Sequence, residues 1–479
     1  MIQEVTLPSK VTVVFGRFTA PLRMYAHASS NFESHRATCC VGALPTEDRT
    51  SSPMEDFCRK MLIIVEGGNL WRKKESVTLL TLLRLYYSRD ATDARDKVYG
   101  LLGLVTDWGN SRAIAPDYTL RTSELYQEVA SRSIEVSGSL AILAFRTERN
   151  YHKMIRDLQK IKEGVTYHKL LLPTASSSEE YMQDALRKKH KSVPDPIELD
   201  MPSWTPDWET INERDFEVGT SERINRAFIF DACASRPAPP FPIRYTSSSI
   251  LTRTRILTLS ALRIGTVDDD KFRHFMPFIV NPASAIKLDN FPLPSNPNDL
   301  DQPYVAGGTK YDAVWRTVCG DSFFAGSHSS AGLDGHAMFR RTTPDDKAAV
   351  QAWRRWLGRQ KTRSAIHRSP AMKDFSSPEE HAMVTEADRA IRSVGLQRRY
   401  FETDTGYMGM GSSAQAGDEV FVLLGSTTPY LLRSLGDIGV EGLRATQLYT
   451  LVGEAYVQGV MDGELVKESE VEIQELLVI

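Results

Sequence analysis

Hydrophobic periodicity divides the chain into regions of different secondary structure. Near the front, the β-branched run VTVVF (Val11–Phe15), closed by Gly16, predicts a strand buried on both faces. Leucines and tyrosines at three- and four-residue spacing in ESVTLLTLLRLYYSRD predict an amphipathic helix. Two more helices are predicted, one after Thr92 or Asp93 and one from Thr122 or Ser123 to the Ser-Gly-Ser at 137–139. Residues 1–145 therefore read as a helix-rich α/β region.

The middle of the chain is less regular. Residues 146–200 are charged or rich in Ser and Pro, which favours a linker or surface excursion. Residues 201–397 form a mixed middle region, with paired strands expected around Ile256–Ile264. Helices are expected over Tyr311–Val318 and Asp345–Gln360.

Beyond Arg398 the period changes to two, and short apolar runs alternate with turn residues. This pattern predicts a small antiparallel β-barrel and tail over 398–479, so the fold class is mixed α+β. A compact barrel over Arg398–Glu464 is expected to pack on the middle region through Trp353 or Trp356. Its expected inward positions are Val420, Val422, Leu424, Leu431, Leu451 and Tyr456, or their alternates. Asp418 is expected to support a turn, so Asp418→Ala should lower the stability by about 1 kcal/mol.

Composition narrows the class of partner. The 58 Lys and Arg residues against 61 Asp and Glu give a net charge of −3, so no global field favours nucleic acid. The five cysteines are scattered without a CxxC pair, which suits a reducing compartment. No window approaches 18 uninterrupted apolar residues. We expect a cytoplasmic protein with no membrane span and no nucleic-acid partner.

Sequences suggestive of chemistry have simpler interpretations. GMGSSA (409–414) fits G-x-G-x-x-A, but a turn and a strand follow where a dinucleotide site needs a helix. GDSFFAGSHSSAG (320–332) holds Ser322, Ser327 and His328 near Asp321 but lacks the G-x-S-x-G elbow, so a polar loop is favoured. Asp268, Asp269 and Asp270 favour a solvated turn. We expect no cofactor, no metal and no catalytic residue from these patterns.

Two further motifs admit a binding or a structural role. Arg95 and Asp96 start a predicted helix, where charged residues normally cap or pair with neighbours. Trp204 and Trp208 of SWTPDW could stack on a base or sugar, but tryptophans more often anchor a loop by burial.

Several segments, read in order, resemble the fungal heterokaryon-incompatibility (HET) domain proteins. IQEV, ATDARDKVYGLLGLV, PSWTPDW, WRTVCGD, GDEVFVLLGSTTPYLLR and LVGEAYVQGVMDGE are similar to blocks of that family. The resemblance covers nearly the whole chain. The motif residues that it implies are Gln3, Glu4, Asp93, Arg95, Asp96, Trp204, Trp208, Trp315, Gly320, Asp321, Gly417, Asp418, Gly453 and Glu454.

The resemblance also implies a function. Family proteins are linked to self/non-self recognition and cell death, so we expect an incompatibility-type protein that acts by protein interaction with the product of an incompatibility allele. The family carries further amino-terminal blocks, so 1–145 is expected to be a truncated HET-domain remnant, through a late gene-model start or a natural truncation. VTVVF should then have an uncovered side. The alternative, from similarity to TIR domains, is an NAD-hydrolysing effector with Glu4 as a relic of its site.

Overall fold

The structure is a computed structural model. It describes residues 2–38, 53–73, 76–87, 89–109, 112–145, 201–209, 226–240, 244–246, 254–268, 301–325, 339–359, 370–395, 398–440, 443–467 and 472–479. The predicted linker at 146–200, Ser327, His328, Asp269 and Asp270 lie outside these residues.

Helices dominate the front region. They are α1 (Ile2–Thr6), α2 (Leu22–Thr38), α3 (Pro53–Arg72), α4 (Leu79–Tyr86), α5 (Asp96–Tyr99) and α6 (Thr122–Ser137). Thr78 caps α4 by accepting a hydrogen bond from the Thr81 amide at 3.2 Å. Gly138, in the left-handed conformation at φ 61°, ends α6. The predicted helices at α4 and α6 are confirmed.

The VTVVF segment forms a hairpin instead of a buried strand. Strand β1 (Thr12–Phe15) pairs with β2 (Phe18–Pro21), and the two form a separate two-stranded sheet. Val14 and Phe15 are 67% and 78% exposed, so the prediction of burial on both faces is wrong. The physical reason is the turn at Gly16 (φ 58°), which reverses the chain directly after Phe15. The expected uncovered side is confirmed.

The remaining strands build an eight-stranded sheet and a small hairpin. They are β3 (Arg244–Tyr245), β4 (Arg255–Thr266), β5 (Ser322–Phe324), β6 (Phe339–Arg341), β7 (Arg398–Glu402), β8 (Met408–Ser412), β9 (Glu419–Leu423), β10 (Tyr430–Val440), β11 (Leu443–Val457) and β12 (Gln474–Val478). The hydrogen-bonded order is β10-β9-β4-β12-β11, and β11 pairs back with β10, which closes a five-stranded barrel. Strands β8 and β7 extend the sheet from β11, and β5 pairs with β6 apart from it.

The barrel differs from the predicted one in its strands. It takes in β4 from the middle region and β12 from the tail, both outside Arg398–Glu464. One pair, β11 with β12, is parallel, so the barrel is not wholly antiparallel. Residues 459–463, which lie inside the region of the predicted barrel, form a turn. The strands expected as a pair around Ile256–Ile264 are one continuous strand, β4.

Both faces of the barrel strands are buried. Val420, Val422 and Leu431 share a cluster with Leu262 and Ile264. The alternate side chains Phe421 and Leu423 lie instead in a cluster with residues of α4 and α6. Because a ring of five strands is too narrow to enclose a helix, the first set faces the barrel interior. The predicted inward residues are all buried, but Leu451 belongs to the outer cluster and Tyr456 to a third cluster.

A helical layer covers β7 and β8. It consists of α7 (Lys310–Val318), α8 (Asp346–Gly358) and α9 (Pro378–Gly395), of which α9 is not predicted by the sequence analysis. Trp353 and Trp356 are fully buried in one cluster with Tyr400, Met408 and Met410. The expected packing on these tryptophans is therefore made by β7 and β8, which extend the sheet, and not by the five strands of the closed barrel. Among the described residues no helix is long and apolar enough to cross a membrane.

Candidate functional site

The sequence-predicted motif residues lie in separate places, and their side chains are mostly engaged in packing and ion pairs. The first group surrounds the start of α5. Arg95 donates from Nε and Nη2 to the two carboxylate oxygens of Asp93, at 2.9 and 2.7 Å. Its Nη1 donates to the carbonyls of Tyr118 and Leu120 at 2.5 and 3.1 Å. This arginine therefore ties the turn before α5 to the segment before α6.

The carboxylates of this group are held by hydrogen bonds. Asp93 also accepts from the Arg95 amide at 3.0 Å, and the bonds from Arg95 lower the pKa of Asp93 to about 2. Asp96 accepts from the Tyr118 hydroxyl at 2.5 Å. The predicted pairing of charges at this helix start is confirmed, whereas the N-cap residue, Arg95, makes no side-chain cap hydrogen bond.

Gln3 and Glu4 lie on α1 beside this group. Gln3 Nε2 donates to the Gly100 carbonyl at 3.0 Å, just after α5. The side chain of Gln3 also occupies the space next to Gly103, where an added Cβ would lie 2.9 Å from its Oε1. Glu4 is exposed. Gln3 therefore joins α1 to the α5 turn, whereas Glu4 is not enclosed in a pocket.

Trp204 and Trp208 are buried core residues. The ring of Trp208 meets that of Tyr126 edge to face at 4.8 Å, and the Tyr126 hydroxyl donates to the Ala94 carbonyl at 2.6 Å. Ser203 Oγ accepts from the Leu451 amide at 2.8 Å and donates to the Ile479 carbonyl. The segment therefore joins the front helices to β11 and to the end of β12. The loop-anchoring interpretation is confirmed, since neither ring offers an open face.

Asp321 is the centre of a buried charge network. Its carboxylate accepts from Arg316 Nη1 at 2.6 Å and from Arg341 Nε and Nη2 at 2.9 and 2.5 Å, and also from the Thr342 hydroxyl. Arg341 reaches on to Asp462 at 2.6 and 3.0 Å. Asp321 and Gly320 have positive φ, 45° and 57°, at the turn after α7. The network links α7, β6 and the turn after β11.

The neighbours of Asp321 are polar groups kept neutral by burial. Burial raises the pKa of the Cys319 thiol to about 12 and that of Tyr456 well above its ordinary value. Ser322 Oγ accepts from Arg226 Nε at 2.7 Å. The indole of Trp315 donates to Asp312 at 3.1 Å. These groups are occupied or inert, so the described part of this motif does not present an activated nucleophile.

The last two motifs repeat the pairing of a buried carboxylate with arginine. Asp418 accepts a two-bond fork from Arg433, at 2.6 and 2.9 Å, and a bond from the Gln415 amide at 2.8 Å. Glu454 accepts from Arg398, and both side chains are less than a tenth exposed. Gly417 (φ 83°) supplies the turn before Asp418. A Cβ added to Gly453 would lie 3.5 Å from Ser412 Cβ of β8, the neighbouring strand.

The GMGSSA segment is a strand, not a phosphate loop. Residues 409–412 belong to β8, which is hydrogen-bonded to β7 on one side and β11 on the other. An added Cβ on Gly409 would lie 2.4 Å from Phe401 Cζ, so the glycines make room for side chains. No group of three or more His, Cys, Asp or Glu within the described ranges could hold a metal ion.

Sequence reasoning missed the arginines that complete these sites. Four arginines form ion pairs with the motif carboxylates, although each lies in a different element or at a different position in the sequence from its partner: Arg316, Arg341, Arg398 and Arg433. The available signal was an arginine within an otherwise apolar strand, as in YLLRS for Arg433.

Two comparisons with known proteins found similarities to this chain. Residues 295–477 match the family model of the Het-6 β-barrel domain, which spans α7 to α9 and most strands of the barrel sheet. The chain is 28% identical over 405 residues to heterokaryon incompatibility protein 6, OR allele, of Neurospora crassa, covering 79% of this chain and 50% of that protein. The chain thus spans about half the length of this curated relative. No solved structure matches. The resemblance drawn from the sequence is confirmed: the chain is similar to a fungal heterokaryon-incompatibility protein over most of its length and to the Het-6 β-barrel domain over residues 295–477.

Proposed function

We propose that the protein takes part in fungal heterokaryon incompatibility and acts through contacts with another protein rather than by catalysis. The observation that carries this proposal is the state of the motif carboxylates. Asp321, Asp418 and Glu454 are buried and bound by arginine side chains. Carboxylates that are buried and bound by arginine in this way keep no free position toward a substrate.

The arrangement has a clear structural use. Each of the three arginine-bound carboxylates joins different elements: Glu454 of β11 joins Arg398 of β7, and Asp418, just before β9, joins Arg433 of the next strand, β10. A buried pair of this kind fixes geometry strongly, because losing one partner leaves an unpaired charge. The motif residues then serve a rigid scaffold whose surface is recognised. The similarity to a protein named for heterokaryon incompatibility supports the biological role.

The alternative from the sequence is NAD cleavage through Glu4. Such a site needs a carboxylate in an enclosed pocket that excludes water from an oxocarbenium-like transition state. Glu4 is exposed on α1, and this favours the interaction hypothesis. We also propose a cytoplasmic location, which the free buried thiols of Cys58, Cys233 and Cys319 support.

The test separates the two mechanisms in the same cells. The chain is expressed in fungal strains that carry different incompatibility alleles, and growth after hyphal fusion is scored. We expect allele-dependent growth arrest that Glu4→Ala leaves intact, with Glu135→Ala, an exposed glutamate on α6, as the matched control.

The purified chain is assayed for nicotinamide release from NAD in parallel. We expect release no greater than that of a heat-treated sample. Release that disappears in Glu4→Ala but not in Glu135→Ala, together with loss of growth arrest, would replace the interaction mechanism by the enzymatic one. Growth arrest that is identical in all allele backgrounds would contradict the incompatibility role.

A further inference from the structure

The tip of the β1–β2 hairpin carries exposed aromatic side chains. Phe15 and Phe18 are cross-strand partners on either side of the turn and are 78% and 64% exposed. Two pairs nearer the base, on the same face, Ala20 is buried and Val13 is half-buried. The hairpin is therefore anchored at its base while its aromatic tip projects beyond the covered part. Val14, 67% exposed, points from the opposite face.

The charged residues of the hairpin and of the sequence that flanks it all have one sign. Between residues 5 and 32 the sequence contains no Asp or Glu, although the whole chain has a net charge of −3. Lys10, Arg17 and Arg23 lie in this stretch and are exposed. The Arg17 guanidinium lies 5.5 Å from the centre of the Phe18 ring, within cation–π distance. The apolar tip therefore carries one basic side chain, Arg17 in the turn, and two more, Lys10 and Arg23, flank the base of the hairpin.

We infer that this hairpin docks the protein on an anionic lipid surface, with Phe15 and Phe18 inserted at the interface and the basic side chains at headgroup level. Interfacial binding of this kind combines buried apolar area with attraction between basic residues and anionic lipids. Aromatic rings favour the boundary between headgroups and acyl chains. The inference is independent of the proposed incompatibility role.

The shape and size of the tip favour a lipid surface over a protein partner. Three side chains exposed to this degree present on the order of 400 Å². A stable protein interface needs about 800 Å² from each partner. A bilayer does not require a complementary surface of that size, because a protruding tip can enter it and the charges act over the surrounding area.

The experiment is vesicle flotation with the full chain, since flotation separates bound protein from aggregates. Vesicles of phosphatidylcholine alone are compared with vesicles that also contain phosphatidylserine, at low and high salt. We expect flotation with the anionic vesicles only, weakened by salt. Phe15→Ser with Phe18→Ser should abolish it, Phe15→Trp should retain it, and Arg17→Ala should lower the partition coefficient about fivefold.

Matched controls come from exposed residues elsewhere. Met372→Ser removes an exposed apolar side chain and Lys373→Ala an exposed charge on a separate short helix, and neither should change flotation. Absence of flotation with anionic vesicles, or equal flotation of the double serine variant, would overturn the inference. A concentration-dependent dimer in analytical ultracentrifugation that the double serine variant abolishes would assign the tip to a second copy instead, and also overturn it.

Discussion

Removal of the Asp418 carboxylate should destabilise the barrel far more than loss of a turn residue does. Asp418 lies at the start of β9, and its side chain is almost fully buried while that of Arg433 is 15% exposed. In Asp418→Ala, Arg433 loses both bonds of its fork and the Gln415 amide loses its acceptor. Breaking a buried ion pair from one side costs about 3–5 kcal/mol. The sequence-based expectation of about 1 kcal/mol takes Asp418 for an exposed turn residue.

The measurement is equilibrium unfolding in urea, followed by tryptophan fluorescence. Trp204 and Trp208 report on the barrel because they lie in the cluster on its outer face. Asp117→Ala is the matched control, since Asp117 also bonds a nearby backbone amide, that of Thr119 at 2.9 Å, but is exposed and in no buried pair. We expect a clearly smaller loss of unfolding free energy in the control.

A double variant tests the origin of the cost. Asp418→Asn keeps an acceptor for the Gln415 amide, and Arg433→Met removes the charge that would otherwise be left unpaired. The double variant should lose less stability than the sum of the two single variants. Equal losses in Asp418→Ala and Asp117→Ala, or strict additivity in the double variant, would refute the reasoning from the buried pair.

Three further predictions follow from the described contacts. The contribution of Asp93 to stability should be full above about pH 4 and fall as the pH drops toward 2, because hydrogen bonds from Arg95 lower the pKa of Asp93 to about 2 in the folded state. Urea midpoints measured across that pH range should lose this dependence in Asp93→Asn. An unchanged profile would contradict the prediction. Cys319 should resist iodoacetamide at pH 8 in the native chain and react in urea, because burial raises its thiol pKa to about 12. Peptide mass spectrometry measures the alkylation. Alkylation of the native chain would disprove the burial of Cys319. Gly409→Ala should lower the free energy of unfolding by about 1–3 kcal/mol, because its Cβ would lie 2.4 Å from Phe401. The control, Gly68→Ala in α3, should be neutral or stabilising, because its Cβ would lie near only the flexible end of Arg72. Equal urea midpoints for the two variants would argue against the close packing of β8.

The sequence predicts local elements well where periodicity and capping agree. Helix α6 has a glutamate that bonds back to the Arg121 amide at its start and a left-handed glycine at its end. Helix α9 had comparable signals, since Ser377 caps it and Pro378 begins it, and apolar residues recur from Val384 to Val394. Its omission shows that a polar-rich helix is overlooked when many of its core positions are small alanines.

Barrel closure could not be read from local pattern. Strand β12 is five residues long, and its first two, Gln474 and Glu475, are polar. Its place between β4 and β11 depends on pairing with segments far away in the sequence. The ion pairs of the motifs could not be predicted from local pattern either. The acidic residues stand out within their sequence blocks, but the pairing of Arg341 with Asp321 and of Arg398 with Glu454 depends on the tertiary fold.

The position of β12 in the ring also governs when the barrel can form during synthesis. Strand β4 emerges from the ribosome roughly two hundred residues before β12, which must pair with it to close the ring. Until then β4 presents an unpaired edge and an uncovered apolar face, features that invite association with other nascent chains. Pairing over such a sequence separation also slows folding. Nascent chains of this protein should therefore depend on chaperones until the last strand has been made, and a stop codon before Gln474 should yield aggregates rather than a shortened domain.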